Sequence, residues 1–73
     1  MLSEKTEALE TALWVALNTL QEGAEMSRKL ATQFRTRDHE HAAAHFEERA
    51  RRTSEQAALI CQVLADRLAE TTW

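Results

Sequence analysis

The 73-residue sequence predicts an all-α fold: an antiparallel two-helix hairpin of coiled-coil character that dimerises into a four-helix bundle. Three observations lead there. Proline is absent and glycine occurs once, while Ala, Glu, Leu, Arg and Thr dominate, which is the composition of long helices. Apolar and small residues recur at steps of three and four in two stripes, first Leu9, Leu13, Ala16, Leu20, Gly23, Ser27, Leu30 and Phe34, then Ala43, Phe46, Ala50, Thr53, Ala57, Ile60, Leu64 and Leu68. The stripes mirror each other about a polar stretch near Asp38. Folding back there sets Leu30 opposite Phe46, Ser27 opposite Ala50, Gly23 opposite Thr53, Leu20 opposite Ala57, Ala16 opposite Ile60 and Leu13 opposite Leu64.

The first helix is expected over about 4–35. Ser3 is placed to accept from the orphan amides of its first turn, and Glu4 and Glu7 face the positive end of the helix dipole. Gly23 costs up to about 1 kcal/mol relative to alanine inside a helix. At a stripe position it reads as a small residue that lets a neighbouring helix come close, with a kink as the alternative. The turn falls at about 36–38, where Thr36, Arg37, Asp38 and His39 form a segment with no apolar residue. Asp38 is expected to cap the second helix, which spans about 39–70 and carries Glu40 in its first turn. Arg35 and Arg37 sit beside the carbonyls that end the first helix, where cations are favourable. So short a turn makes the neighbours antiparallel, each about 30 residues and roughly 45 Å long. The chain forms a single domain, readable also as a piece of a larger protein.

A lone hairpin leaves part of each stripe uncovered. The consecutive run Leu13, Trp14, Val15, Ala16, Leu17 covers more than one helix face, with Trp14 and Leu17 expected beside the seam and Cys61 and Val63 flanking it on the second helix. Apolar surface at the end away from the turn calls for a partner, and a second copy of the chain is the simplest one. Leu13, Trp14, Leu17 and Leu20 are the expected interface residues, because aromatic and leucine anchors carry most interface energy.

Composition excludes several function classes. A net charge of -3 and a pI near 5.5 provide no net attraction to nucleic acid or an anionic bilayer. Arg49, Arg51 and Arg52 form a basic cluster, but Glu47, Glu48 and Glu55 surround it, so the segment reads as a solvated face of charge pairs. No apolar run approaches the roughly 20 residues that span a membrane, and no basic-then-apolar leader opens the sequence. One cysteine cannot staple the domain internally, which fits a reduced, cytoplasmic setting, and Cys61 is expected to be a small buried hydrophobe rather than a nucleophile. Ser3, Ser27 and Ser54 lack a nearby His and Asp, no glycine-rich phosphate loop is present, and the acidic residues form no sequestered pair. No catalytic or cofactor-binding residue is expected, and the chain is not read as an enzyme.

One cluster has the residue types of a metal site: His39, Glu40, His41, His45 and Glu48. His41 and His45 are four apart, on one helix face, with Glu48 one turn further, a spacing compatible with Zn or Ni. The His-Glu-x-x-His arrangement of zinc proteases and the Glu-x-x-His motifs of di-iron bundles are absent. Counted from the stripe, both imidazoles point to solvent, so no metal is assigned. A small metal-binding bundle using His41, His45 and Glu48 is one alternative function. A subunit of a hetero-complex, its Trp14 face covered by another protein, is the other.

The segment from Ala12 to Glu22, containing Ala12-Leu13-Trp14, then Ser27-Arg28-Lys29-Leu30-Ala31, then His45 followed by Phe46-Glu47-Glu48-Arg49-Ala50, resembles the helical tail at the C-terminus of chemotaxis-type protein-glutamate methylesterases. The likeness runs from about Glu7 to Leu68. It departs at Gly23, where that tail tends to carry a charged residue or alanine, and in a turn without glycine. No residue here matches the catalytic serine, histidine and aspartate of that family, which belong to an upstream domain. The resemblance therefore implies an appended helical module, one that associates with itself, with a catalytic domain or with a signalling protein.

Overall fold

The computed structural model describes residues 2–71, with side chains between 4 and 70. Two helices make up this span, α1 over Leu2–Thr36 and α2 over Glu40–Thr71. They lie antiparallel in a rod with Cα extents of 55 × 17 × 12 Å. The all-α hairpin expected from composition and stripe spacing is the fold that forms. α1 continues through Gly23 without a break. Ser3 lies inside the first turn rather than ahead of it, and its side chain is outside the described residues.

A Schellman closure ends α1. The His39 amide donates to the Phe34 carbonyl at 2.9 Å and the Asp38 amide to the Arg35 carbonyl at 3.1 Å. Asp38 adopts a left-handed backbone with φ of 61°. Glycine usually holds that position because a Cβ crowds the following carbonyl, and the short polar side chain of aspartate is among the few that tolerate it. The Phe34 and His39 rings meet edge-on at 6.1 Å, the side-chain contact that accompanies this closure. Asp38 thus terminates α1 and does not cap α2, which corrects the sequence reading. His39 flanks α2 instead, its carbonyl accepting the Ala43 amide at 3.0 Å.

Leu13, Leu17, Leu20, Ala24, Ser27, Ala31 and Phe34 form the α1 side of the seam, all buried or half-buried. Ala43, Phe46, Ala50, Thr53, Ala57, Ile60 and Leu64 form the α2 side. One step further out, Arg67 Nε faces Glu10 Oε1 at 3.6 Å. That distance is an ion pair but too long for a hydrogen bond, so the buried Nε has no closer acceptor. Counting inward from this pair sets Leu64 level with Leu13, Ile60 with Leu17, Ala57 with Leu20, Thr53 with Ala24, Ala50 with Ser27, Phe46 with Ala31 and Ala43 with Phe34.

The expected α1 stripe is correct at Leu13, Leu20, Ser27 and Phe34 and one residue early between them. Leu17, Ala24 and Ala31 are buried, whereas Ala16 and Leu30 are half-buried and Leu9 and Gly23 exposed. Alternating steps of three and four through the shared positions fit either set. Packing selects the one that buries the Leu17 side chain instead of the Ala16 methyl and leaves Gly23, with no side chain to bury, outside. Leu17 is therefore core and does not project beside the seam. On α2 the stripe holds except at its end, where Arg67 replaces Leu68. Cys61 is exposed, not buried, because the seam passes through Ile60 and Leu64 on either side of it.

Three kinds of contact follow one another along the rod. Leu17, Ala57 and Leu64, with Leu13, Leu20 and Ile60 packed against them, make an aliphatic core at the end away from the turn. Ala24, Ser27, Ala31 and Ala50 fill the next stretch with small buried residues. Phe34 and Phe46 stack with parallel rings at 5.5 Å beside the turn. Leu17→Ala should lower the unfolding free energy by about 2–3 kcal/mol, since it removes most of a buried leucine from so small a core. Asp38→Gly should raise it by up to about 1 kcal/mol by relieving the left-handed backbone. Urea melts followed by helical circular dichroism check both.

Candidate interaction surface

The seam leaves two flanks, one on each side of the line of contact. On the first, α1 carries Trp14, Gln21, Arg28 and Arg35 at steps of seven, and α2 carries Glu47, Ser54, Cys61 and Leu68. Direct bonds join these rows. Arg28 Nη1 donates to Ser54 Oγ at 3.2 Å, and Arg35 pairs with Glu47 and, at 4.0 Å, with Glu40. Trp14 is 48% exposed here. Of the four expected interface residues, then, Leu17 is buried within the hairpin, Leu13 and Leu20 pack against the same core, and Trp14 stands exposed.

The second flank is marked by a groove lined by Thr19, Gly23, Met26, Leu30, Arg49 and Thr53. Steps of three and four from these residues extend it along α1 through Ala16, Ala12 and Leu9, and along α2 through Arg52, Gln56, Leu59, Val63, Asp66 and Glu70. Leu9, Met26, Leu59 and Val63 are exposed large apolar residues on this side. Cys61 and Val63, expected to flank the seam alike, fall on opposite flanks. The sequence reading missed Met26 and Leu59 as surface features. Their signal is a second row at the same spacing, running parallel to the seam.

Charge is concentrated on the first half of α2. Arg51 donates through Nε to Glu48 Oε2 at 2.9 Å and also pairs with Glu55, while Arg52 Nε donates to Glu48 Oε1 at 3.1 Å. These hydrogen bonds, from Arg51 first and Arg52 next, hold the Glu48 carboxyl well below its ordinary value, at about 2, and push the Arg51 guanidinium higher. The basic cluster is thus the solvated face expected, paired at Arg51 and Arg52 but, among the described residues, not at Arg49, and Glu47 reaches across to Arg35 instead.

That network also bears on the histidine cluster. His41 and His45 are exposed, the His45 ring meets Phe46 edge-on at 5.2 Å, and Glu48 is engaged by two arginines. Among the described residues, no three His, Cys, Asp or Glu side chains are grouped so as to hold a metal ion. No helix among them is long and apolar enough to cross a membrane. No protein-family model, curated protein or solved structure matches the chain.

A site-resolved titration tests the network. The folded pKa of Glu48 is lowered from 4.5, so its contribution to stability is complete above about 4.5 and is lost as pH falls toward 2. The carboxyl carbon of Glu48 should titrate near 2 by NMR. In an Arg51→Gln variant that midpoint should move up toward the ordinary value.

Proposed function

We propose that this chain is a non-catalytic helical module whose work is association: with a second copy of itself and, through its Trp14 flank, with a catalytic domain or signalling protein of the chemosensory methylesterase type. The observation that supports this is the apolar surface left over after the hairpin has formed. Leu9, Trp14, Val15, Met26, Leu59, Val63 and Leu68 are each about half exposed or more, on a rod with a single seam of core. Large apolar patches on small domains mark sites where another protein binds. The methylesterase connection rests on the resemblance carried by Ala12-Leu13-Trp14 and Phe46-Glu47-Glu48-Arg49-Ala50. It brings no esterase chemistry to this chain, because the catalytic residues of that family have no counterpart here.

Sedimentation of the purified chain over a wide concentration range, with and without a chelator, tests the self-association. A dimer insensitive to the chelator is expected. A monomer at every concentration overturns the self-association, and a dimer that dissociates on chelation replaces it with the histidine-cluster alternative. In a Trp73→Phe background, Trp14 emission should shift to the blue when a methylesterase catalytic domain is added, and Trp14→Glu should weaken that binding at least tenfold.

A further inference from the structure

The second flank is complementary to its own reverse along the rod. On α2 it runs Arg49, Arg52, Gln56, Leu59, Val63, Asp66, Glu70: basic toward the turn, apolar in the middle, acidic toward the free end. Two copies of this row laid antiparallel about Leu59 bring Arg52 to Asp66 of the other copy and Arg49 to its Glu70. Within the hairpin, Arg49 and Glu70 form no ion pair among the described residues, whereas Arg52 is bonded to Glu48 and Asp66 to Gln62. Electrostatic complementarity of this kind fixes orientation and register.

The α1 row is complementary about its own centre. Laid antiparallel about Thr19, Ala16 meets Gly23 of the other copy, Ala12 meets Met26 and Leu9 meets Leu30. Small residues meet at the middle, small meets large further out, and leucine meets leucine at the ends. The two centres also coincide. The seam levels Leu17 with Ile60 and Leu20 with Ala57 bracket both Thr19 and Leu59, so one two-fold axis serves both rows.

Gly23 gains a physical account from this arrangement. It costs stability in the middle of α1, yet α2 does not require it, since a Cβ there would meet Thr53 Cγ2 at 4.0 Å, an ordinary contact. The missing side chain clears space on the outward flank instead. A face 55 Å long and 17 Å wide outlines on the order of 900 Å², close to the roughly 800 Å² that each partner supplies to a standard interface.

We infer that a second copy of this chain docks on the Thr19–Leu59 flank, with the turns at opposite ends of a four-helix bundle and α1 against α1, α2 against α2. This rests on the self-association proposed above and assigns its face and direction. The arrangement with both turns at one end sets Arg49 and Arg52 against Leu30 and Met26, leaving charge on apolar surface. Trp14 lies on the opposite flank and stays free for a different protein.

Single-cysteine variants Thr19→Cys and Leu59→Cys, made with Cys61→Ser, test the geometry using a short thiol-reactive linker. Both sites are exposed, so helicity should be unchanged. Each variant is expected to cross-link to its own copy. Gly23→Leu should weaken the dimer at least tenfold. Arg49→Glu with Arg52→Glu should weaken it similarly, and adding Asp66→Arg and Glu70→Arg should restore it. A dimer that cross-links through native Cys61 but not through position 19 or 59 overturns the assigned face and leaves self-association standing. Linkage only between a position-19 cysteine and a position-59 cysteine, in a mixture of the two variants, overturns the direction. A chain monomeric at every concentration overturns this inference together with the self-association beneath it.

Discussion

Two rods in contact along their length share one line of closest approach, and everything this hairpin buries has to lie on it. A third helix would create an interior with depth; two create only a seam. The steps of three and four along each helix keep side chains on that line for the whole length. Leu17, Ala57 and Leu64 are deeply covered on it, while apolar residues a single step off, such as Val63 and Cys61, stand in solvent. Coverage thus depends on position relative to the seam far more than on hydrophobicity.

The same line sorts the charges. Arg35 reaches over it to Glu47 near the turn, and Arg67 meets Glu10 near the free ends, so ion pairs bracket the apolar contacts at both extremes. These pairs add little energy where they are exposed, but opposite charges at both ends disfavour a slipped pairing of the helices. Between them, the change from aliphatic to alanine to aromatic packing gives each stretch of α1 a preferred partner on α2. Register is therefore specified several times over.

Much of this was legible from residue order alone. Fold class, the place of the turn to within a residue and the α2 seam as far as Leu64 follow from composition and spacing, because nothing in the sequence competes with a helix. Half of the α1 seam does not, and the reason is specific: Leu13, Leu20, Ser27 and Phe34 are shared by two equally regular stripes, and Leu17 against Ala16 decides between them only once α2 is in place. The role of Asp38 was hidden in another way. An aspartate between helices suits either the end of the first or the start of the second, and only its left-handed backbone settles which. At the candidate surface, Trp14 was visible within the apolar run Leu13 to Leu17, whereas Leu9, Ala16, Gly23 and Leu30 passed for part of the seam because they keep the same spacing.

The turn holds just three residues between the last of α1 and the first of α2, and the amide of each donates to a carbonyl in the last turn of α1. Every position on α1 is thereby tied to one height on α2, in the way that a reading frame ties a base to a codon. One residue inserted into either helix would rotate all that follows by about 100°, carrying the rest of the seam into solvent and a flank into the core. Changes in length that preserve the packing therefore come in sevens, and in both arms together. The hairpin behaves as a ruler marked in heptads, with its zero at Asp38.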